Sequence, residues 1–330
     1  MRLWKFGRAV LLLVLILGVF LLAAGIYMHD SPEIGNETNS TANISGNNSS
    51  NNLSGNNSTI SDPQNNTVIS GNNSTIPLNH SCGENSAYGL DSEKKLRAEQ
   101  LTSLFENNNL TLQYGYAEAL GDGRGITCGR AGFTTGTGDA YAVVKLYTER
   151  KLENSLAKYL PELERLNSAE DSGDTSRLNG FIEDWKIEAN DPIFRQAQDE
   201  INDRLYYRPA MDYAKNLCVT SALGKAILYD TIIQHGNGDD LDSLPALLKR
   251  TEGMAGGTPK TGINEAVWLS DFLSVRRNDL AHAYDAETRQ EWAKSVSRVD
   301  VFMEILNVGN LDLKGPIEIS NKDYEGAVIP

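Results

Sequence analysis

Cysteine and histidine are scarce in this chain of 330 residues: three cysteines, Cys82, Cys128 and Cys218, and four histidines, at positions 29, 80, 235 and 282. No Cys-x-x-Cys pair and no His-Glu-x-x-His occurs among them, which argues against a structural or catalytic zinc site. Gly-x-x-x-x-Gly-Lys-Ser/Thr is missing as well, as are a Gly-x-Gly-x-x-Gly between a strand and a helix and the acidic spacing of a calcium loop. Nucleotide and calcium binding thereby lose their usual signatures. Positive charge is in short supply, with 30 Lys and Arg against 44 Asp and Glu. Residues 1–79 hold three of the basic and four of the acidic side chains, so the remainder carries 27 against 40. Such a surface repels nucleic acid and anionic membrane and draws cationic partners by an attraction that salt weakens. Solubility outside the cell accounts for the same surplus. The odd number of cysteines allows an exported protein one disulfide and one free thiol, with three pairings open.

Charge disappears altogether over residues 9–27, a run of 19 residues that suffices for a helix across a bilayer. Arg2, Lys5 and Arg8 precede the run while Asp30 and Glu33 follow it, which keeps the basic end inside and sends the rest of the chain outward. Small residues at Ala23, Ala24 and Gly25 suit a cleavage site. Residues 1–29 are therefore expected to be a signal peptide or a transmembrane anchor. The product is expected to be extracellular, secreted or held at the cell surface, and to meet membrane only through this segment.

Residues 30–81 are dominated by Asn, Ser, Thr and Gly, and a short unit recurs in them: Ile44-Ser-Gly-Asn-Asn-Ser-Ser, Leu53-Ser-Gly-Asn-Asn-Ser-Thr and Ile69-Ser-Gly-Asn-Asn-Ser-Thr. With almost no aromatic content this stretch cannot bury enough surface to fold and reads as a disordered linker. Its Asn-x-Ser/Thr sequons, as at Asn43, Asn57 and Asn73, suit a glycosylated stalk, and an unmodified flexible linker fits equally.

Residues 82–330 form the expected catalytic domain, α+β in class but mainly helical. Ala98, Leu101, Leu104 and Phe105 share one helix face, and Asp191-Pro192 supplies a cap and first-turn proline for a helix through residue 207. Further helices are expected near 139–149, 152–167, 177–189, 209–235, 241–252, 263–282 and 286–306. A single stretch reads as strand, with Leu110, Leu112, Tyr114 and Tyr116 alternating with Thr111, Gln113, Gly115 and Ala117. The glycine-rich 121–139 segment then turns back to make a small antiparallel sheet.

Glu106 falls where the first helix should end, because Asn107, Asn108 and Asn109 favour turns. A carboxylate at the negative end of a helix is disfavoured as an ion, the direction a general acid requires. Most helix-terminal glutamates are nonetheless plain surface residues. Asp122 lies in Gly121-Asp-Gly-Arg-Gly-Ile-Thr127, whose glycines let backbone turn sharply beside a ligand, or simply turn. Glycosidic hydrolysis needs one protonated carboxyl for the leaving oxygen and a second, ionised, one to drive attack. A helix-end Glu and a loop Asp can face each other across a cleft in that way.

Leu104-Phe-Glu-Asn107, the 121–127 loop and Gly132-Phe-Thr-Thr-Gly-Thr-Gly-Asp139 resemble motifs of the family 46 chitosanases. The likeness continues through Tyr159-Leu-Pro161, Phe194-Arg-Gln-Ala-Gln198, Asp203-Arg-Leu-Tyr206, Tyr229-Asp230, His235-Gly236 and Gly309-Asn-Leu-Asp-Leu313, and spans 92–330. The resemblance implies a two-lobed, lysozyme-like fold with a small sheet in one lobe and a cleft between. It implies a monomer that hydrolyses chitosan or glucosamine oligosaccharides internally and with inversion, using no metal or cofactor. By position Glu106 matches the general acid, Asp122 the general base and Thr127 the residue that places the attacking water. Inversion implies carboxyl groups about 6.5 to 9.5 Å apart. Tyr116, Arg124, Asp139 and Asp285 match cleft residues, with the two aspartates suited to glucosamine ammonium groups. Tyr206 matches a tyrosine near the cleft, where hydrophobic packing is its other reading. Asp230, Arg276 and Arg289 match a buried ion network beneath the site. Two stretches, 106–122 and 277–285, are shorter than the family pattern, which bears on the reach of the first strand and on subsite preference.

Two alternatives share these residues. A lysozyme-like peptidoglycan hydrolase has the same fold, but Asp139, Asp285 and the acidic domain disfavour an anionic wall polymer. A silent cell-surface sugar-binding domain would need none of Glu106, Asp122 and Thr127.

Overall fold

Side-chain caps set where the chain begins to coil. Asp91 accepts from the backbone of Lys94 at 2.9 Å and opens helix α1 (Ser92–Asn107), which closes on Asn108 in the left-handed conformation at φ 49°. In this computed structural model the described residues are Cys82, 87–121, 123–168, 173–286 and 289–330. The expected leader (1–29) and linker (30–81) lie outside them, and so does Asp122. Among the described residues no helix is long and apolar enough to cross a membrane.

Three short strands follow α1: β1 (Ala117–Ala119), β2 (Ile126–Cys128) and β3 (Phe133–Thr134), antiparallel in that order, with Glu118 and Thr134 on either side of Thr127. Helices α2 (Asp139–Arg150), α3 (Leu160–Ser168), α4 (Phe181–Glu188) and α5 (Pro192–Asn202) share a hydrophobic core with this sheet, built on Phe133, Tyr147, Phe181, Trp185 and Phe194. A second core joins α1 to α6 (Arg208–Leu217), α7 (Ala222–His235), α8 (Leu244–Ala255), α9 (Glu265–Ala281), α10 (Arg289–Ala293) and α11 (Val296–Asn307). The hairpin β4 (Ile317–Glu318) and β5 (Val328–Ile329) closes it. Tyr206, between α5 and α6, packs on both cores.

Every residue of α7 is buried, so it has no polar face to give to water. Its polar side chains must find partners inside. Lys225 Nζ donates to the carbonyls of Ala87 and Gly89, both at 2.8 Å, and His235 Nδ1 lies 2.8 Å from the carbonyl of Asp242.

Several expected elements take another form. Residues 110–116 are turns, not a strand: the amide of Tyr114 donates to Leu112 at 3.1 Å and that of Tyr116 to Gln113 at 3.2 Å. The carbonyl of Tyr114, which a neighbouring strand would have used, accepts instead from Trp185 Nε1 at 3.0 Å and Gln198 Nε2 at 3.1 Å. The single helix expected over 209–235 is broken at Cys218, left-handed at φ 59° and disulfide-bonded to Cys82, after which Ser221 caps α7. That bond settles the pairing and leaves Cys128 free and buried. Helix α5 widens into a π turn over Asp203–Tyr207 before α6, because Pro209 has no amide to donate to the preceding turn. The 286–306 run divides into α10 and α11.

Candidate active site

The last turn of α1 carries Glu106 on its buried face, 7% exposed. Its Oε1 accepts from Nη1 of Arg298, which lies on α11. The same arginine donates through Nε and Nη2 to Asp230 on α7, each at 2.8 Å. Asp230 also accepts from Arg276 Nη2 at 2.8 Å and from Thr102 Oγ1 at 3.0 Å, and Arg276 donates to Gln234 at 2.6 Å. Asp230, Arg276 and Arg298 are all buried.

Burial raises the Glu106 carboxyl to about 7; the charge and hydrogen bond of Arg298 oppose the rise, and Asp230 adds to it. Removal from water thus does what the sequence ascribed to the helix terminus. Burial would also raise Asp230, but Arg298 and Arg276 outweigh it and hold that carboxyl below its ordinary value. The network therefore keeps one carboxylate ionised and leaves its neighbour able to hold a proton near neutrality.

Arg289 is not the second arginine of this network. Its guanidinium donates to the carbonyls of Ala283 at 2.7 Å and Tyr284 at 3.2 Å, and Arg298 takes the expected place. Position on the helix is the reason. Arg298 lies on the same face of α11 as Val301, Phe302 and Ile305, all buried, whereas Arg289 begins the short, more exposed α10. A charged residue on an apolar stripe was the available signal. Thr102, one turn before Glu106, is a second member that sequence reasoning missed.

Across from Glu106 stands the sheet. Thr127 is wholly buried in β2, and its Oγ1 has no hydrogen-bond partner among the described residues. Asp122, on the loop leading into β2, lies outside the described residues. Asp139 starts α2, 6% exposed, with Oδ1 accepting from Thr134 N at 2.7 Å, Thr137 Oγ1 at 2.8 Å and Ala140 N at 2.9 Å. Burial raises it to about 6, against those hydrogen bonds. Tyr206, packed on both cores, is pushed up by burial and feels the charges of Asp139, Arg124 and Glu106. The Tyr116 hydroxyl donates to Glu118 at 3.0 Å. Asp285 sits apart from these groups in sequence, after α9, where its amide and that of Tyr284 each donate to the Asp242 carboxylate at 2.9 Å.

Between the walls lies a small cavity of about 20 Å³ whose lining includes Ser103, Glu106 and Asn107 of α1, Gly129, Ala131 and Gly132 after β2, and Tyr229 of α7. Among the described residues no group of three or more His, Cys, Asp or Glu is arranged to hold a metal ion. Residues 100–317 match the family model of Glycosyl hydrolase family 46. The chain belongs to that family. The family 46 chain is 55% identical over 243 residues to a chitosanase of Bacillus subtilis (strain 168), covering 74% of this chain and 87% of that protein. The crystal structure of native chitosanase from Bacillus subtilis MY002 superposes with a TM-score of 0.69 at 55% identity, covering 73% of this chain and 100% of that one. The family 46 chitosanase of Gynuella sunshinyii, solved in complex with chitotetraose, gives a TM-score of 0.68 at 44% identity, over 73% of this chain and 99% of its own.

Proposed function

We propose that this family 46 protein hydrolyses internal β-1,4 bonds of chitosan with inversion at the anomeric carbon. Glu106 protonates the leaving oxygen, Asp122 takes a proton from the attacking water, and Thr127 Oγ1 orients that water. The observation that carries this reading is the state of Glu106: buried, bonded to Arg298 and raised to about 7, it is a carboxyl able to give up a proton near neutral pH. The Thr127 hydroxyl on β2, without a partner among the described residues, supports it, since a buried polar atom of that kind has hydrogen-bonding capacity to offer a water. The relatives that share the fold are chitosanases, one of them solved with chitotetraose.

In this reading Asp139 and Asp285 receive glucosamine ammonium groups, while Tyr116, Arg124 and Tyr206 shape the sugar path. The Cys82–Cys218 disulfide suits an oxidising compartment and so an exported enzyme. Incubation with chitosan, chitin and peptidoglycan in parallel tests the proposal. New reducing ends should arise from chitosan, with the α anomer formed first. The β anomer first would exclude inversion, and release from peptidoglycan alone would make the protein a muramidase.

A further inference from the structure

Arg130 lies in the turn just after β2, the strand that carries Thr127. Its guanidinium reaches out of the sheet region to α1: Nη2 is 3.0 Å from Glu99 Oε1, with the two side chains only 3% and 9% exposed. Nη1 donates to Asp199 on α5, a carboxylate that also takes the Tyr114 hydroxyl at 2.8 Å. Glu99 and Glu106 lie two turns apart on the same helix, so this ion pair ties the helix bearing the acid to the strand facing it.

The turn itself is held firmly. The amide of Arg130 donates to Gln198 Oε1 at 3.1 Å. Gly129, at φ 71°, comes so close to α4 and α5 that a Cβ there would meet Gln198 Oε1 at 2.5 Å and Trp185 at 2.9 Å. Sheet, turn and α5 therefore form one body, and the pair with Glu99 is its charged link to α1. A buried ion pair is a poor means of stabilisation compared with apolar packing, whereas its fixed length and direction make it a good spacer. Inversion requires a gap that admits a water between the acid and the groups opposite.

We infer that Arg130 and Glu99 are positioning residues that set the distance between Glu106 and the β2 strand. This rests on the assignment of Glu106 as the acid. Both line the cavity beside Glu106, but their charges are turned to each other, so their effect belongs to kcat more than to KM, and the alkaline limb of the pH profile remains that of Glu106.

The test uses the full chain on chitosan and compares Glu99→Asp, the paired change Glu99→Leu with Arg130→Met, and Glu106→Gln. The paired change leaves no unpaired buried charge, so its melting temperature should return close to that of the parent. Its kcat should remain roughly 10-fold to 100-fold lower, as a misplacement of about 1 Å would cause. Glu99→Asp keeps the charge but shortens the link, and should lower kcat with KM nearly unchanged. Parental kcat in the paired variant, or a loss that follows only the folded fraction, would overturn the inference. Normal turnover by Glu106→Gln would overturn the acid assignment, and the inference with it. An inactive Glu106→Gln beside a fully active paired variant would remove the spacer alone.

Discussion

Glu106 and Thr127 are both buried, yet they differ in company. The carboxyl of Glu106 is locked to Arg298, and through it to Asp230 and Arg276, in a charged cluster. The hydroxyl of Thr127 has no partner among the described residues. The helical wall spends its hydrogen-bonding capacity on itself, which raises one carboxyl and lowers its neighbour, while the sheet wall holds a buried hydroxyl with no partner among the described residues. Each wall alone is an ordinary piece of protein interior, and opposed to each other they suit a reaction that needs a held proton and an oriented water.

The largest break in that contrast is Glu106→Gln. It should lower turnover on chitosan by about 1,000-fold, the scale of a lost general acid, while calorimetry shows a glucosamine oligomer still bound. Asp122→Asn should fall nearly as far and recover in azide, which replaces the water as nucleophile; no recovery would count against a base role. Removing the partner rather than the acid comes next. Arg298→Ala leaves buried carboxylates short of compensation and should cost about 3 to 5 kcal/mol in denaturant unfolding. It should also move the alkaline limb of activity upward, since Arg298 is what restrains the Glu106 carboxyl. Arg289→Ala, on short α10, should cost about 0.5 kcal/mol, and equal costs for the two arginines would restore Arg289 to the network.

Smaller effects sharpen the opposite wall. Thr127→Val exchanges an unpartnered buried hydroxyl for a methyl, so unfolding stability should hold or rise by about 1 kcal/mol while kcat falls. A drop in stability would mean that the hydroxyl is satisfied after all. The pH dependence of stability gives the last check. The folded Glu106 carboxyl titrates at about 7 against an ordinary 4.5, so between those values the native state holds a proton that the unfolded chain has released. Stability contributed by that proton is full below about 4.5 and is lost as pH rises through 7. Glu106→Gln should flatten this part of the profile by at most about 3 kcal/mol.

Sequence disclosed that Glu106 stands at a helix end because three asparagines follow it and stop the helix. Its buried partner was harder to read. Arginine in an amphipathic helix ordinarily faces water, and only its place in line with Val301, Phe302 and Ile305 marks Arg298 as an inward charge. The 110–116 stretch misled for another reason: its alternation was real, but the hydrogen bonds of a strand depend on a neighbour, and Trp185 and Gln198 took the Tyr114 carbonyl first. In the same way nothing local announced that the 209–235 helix would break, since the left-handed turn at Cys218 is tied to a cysteine 136 residues away. The helix start set by a cap at Asp191 was legible because cap and capped amide are neighbours in the chain.

The bond between Cys82 and Cys218 also decides how mechanical tension would enter the molecule. A pull on whatever precedes Cys82 divides there, part crossing that bridge to the junction of α6 and α7 and part following the backbone to Asp91 and α1. The helix that holds Glu106 thus never carries the whole of such a load, which the second anchor shares.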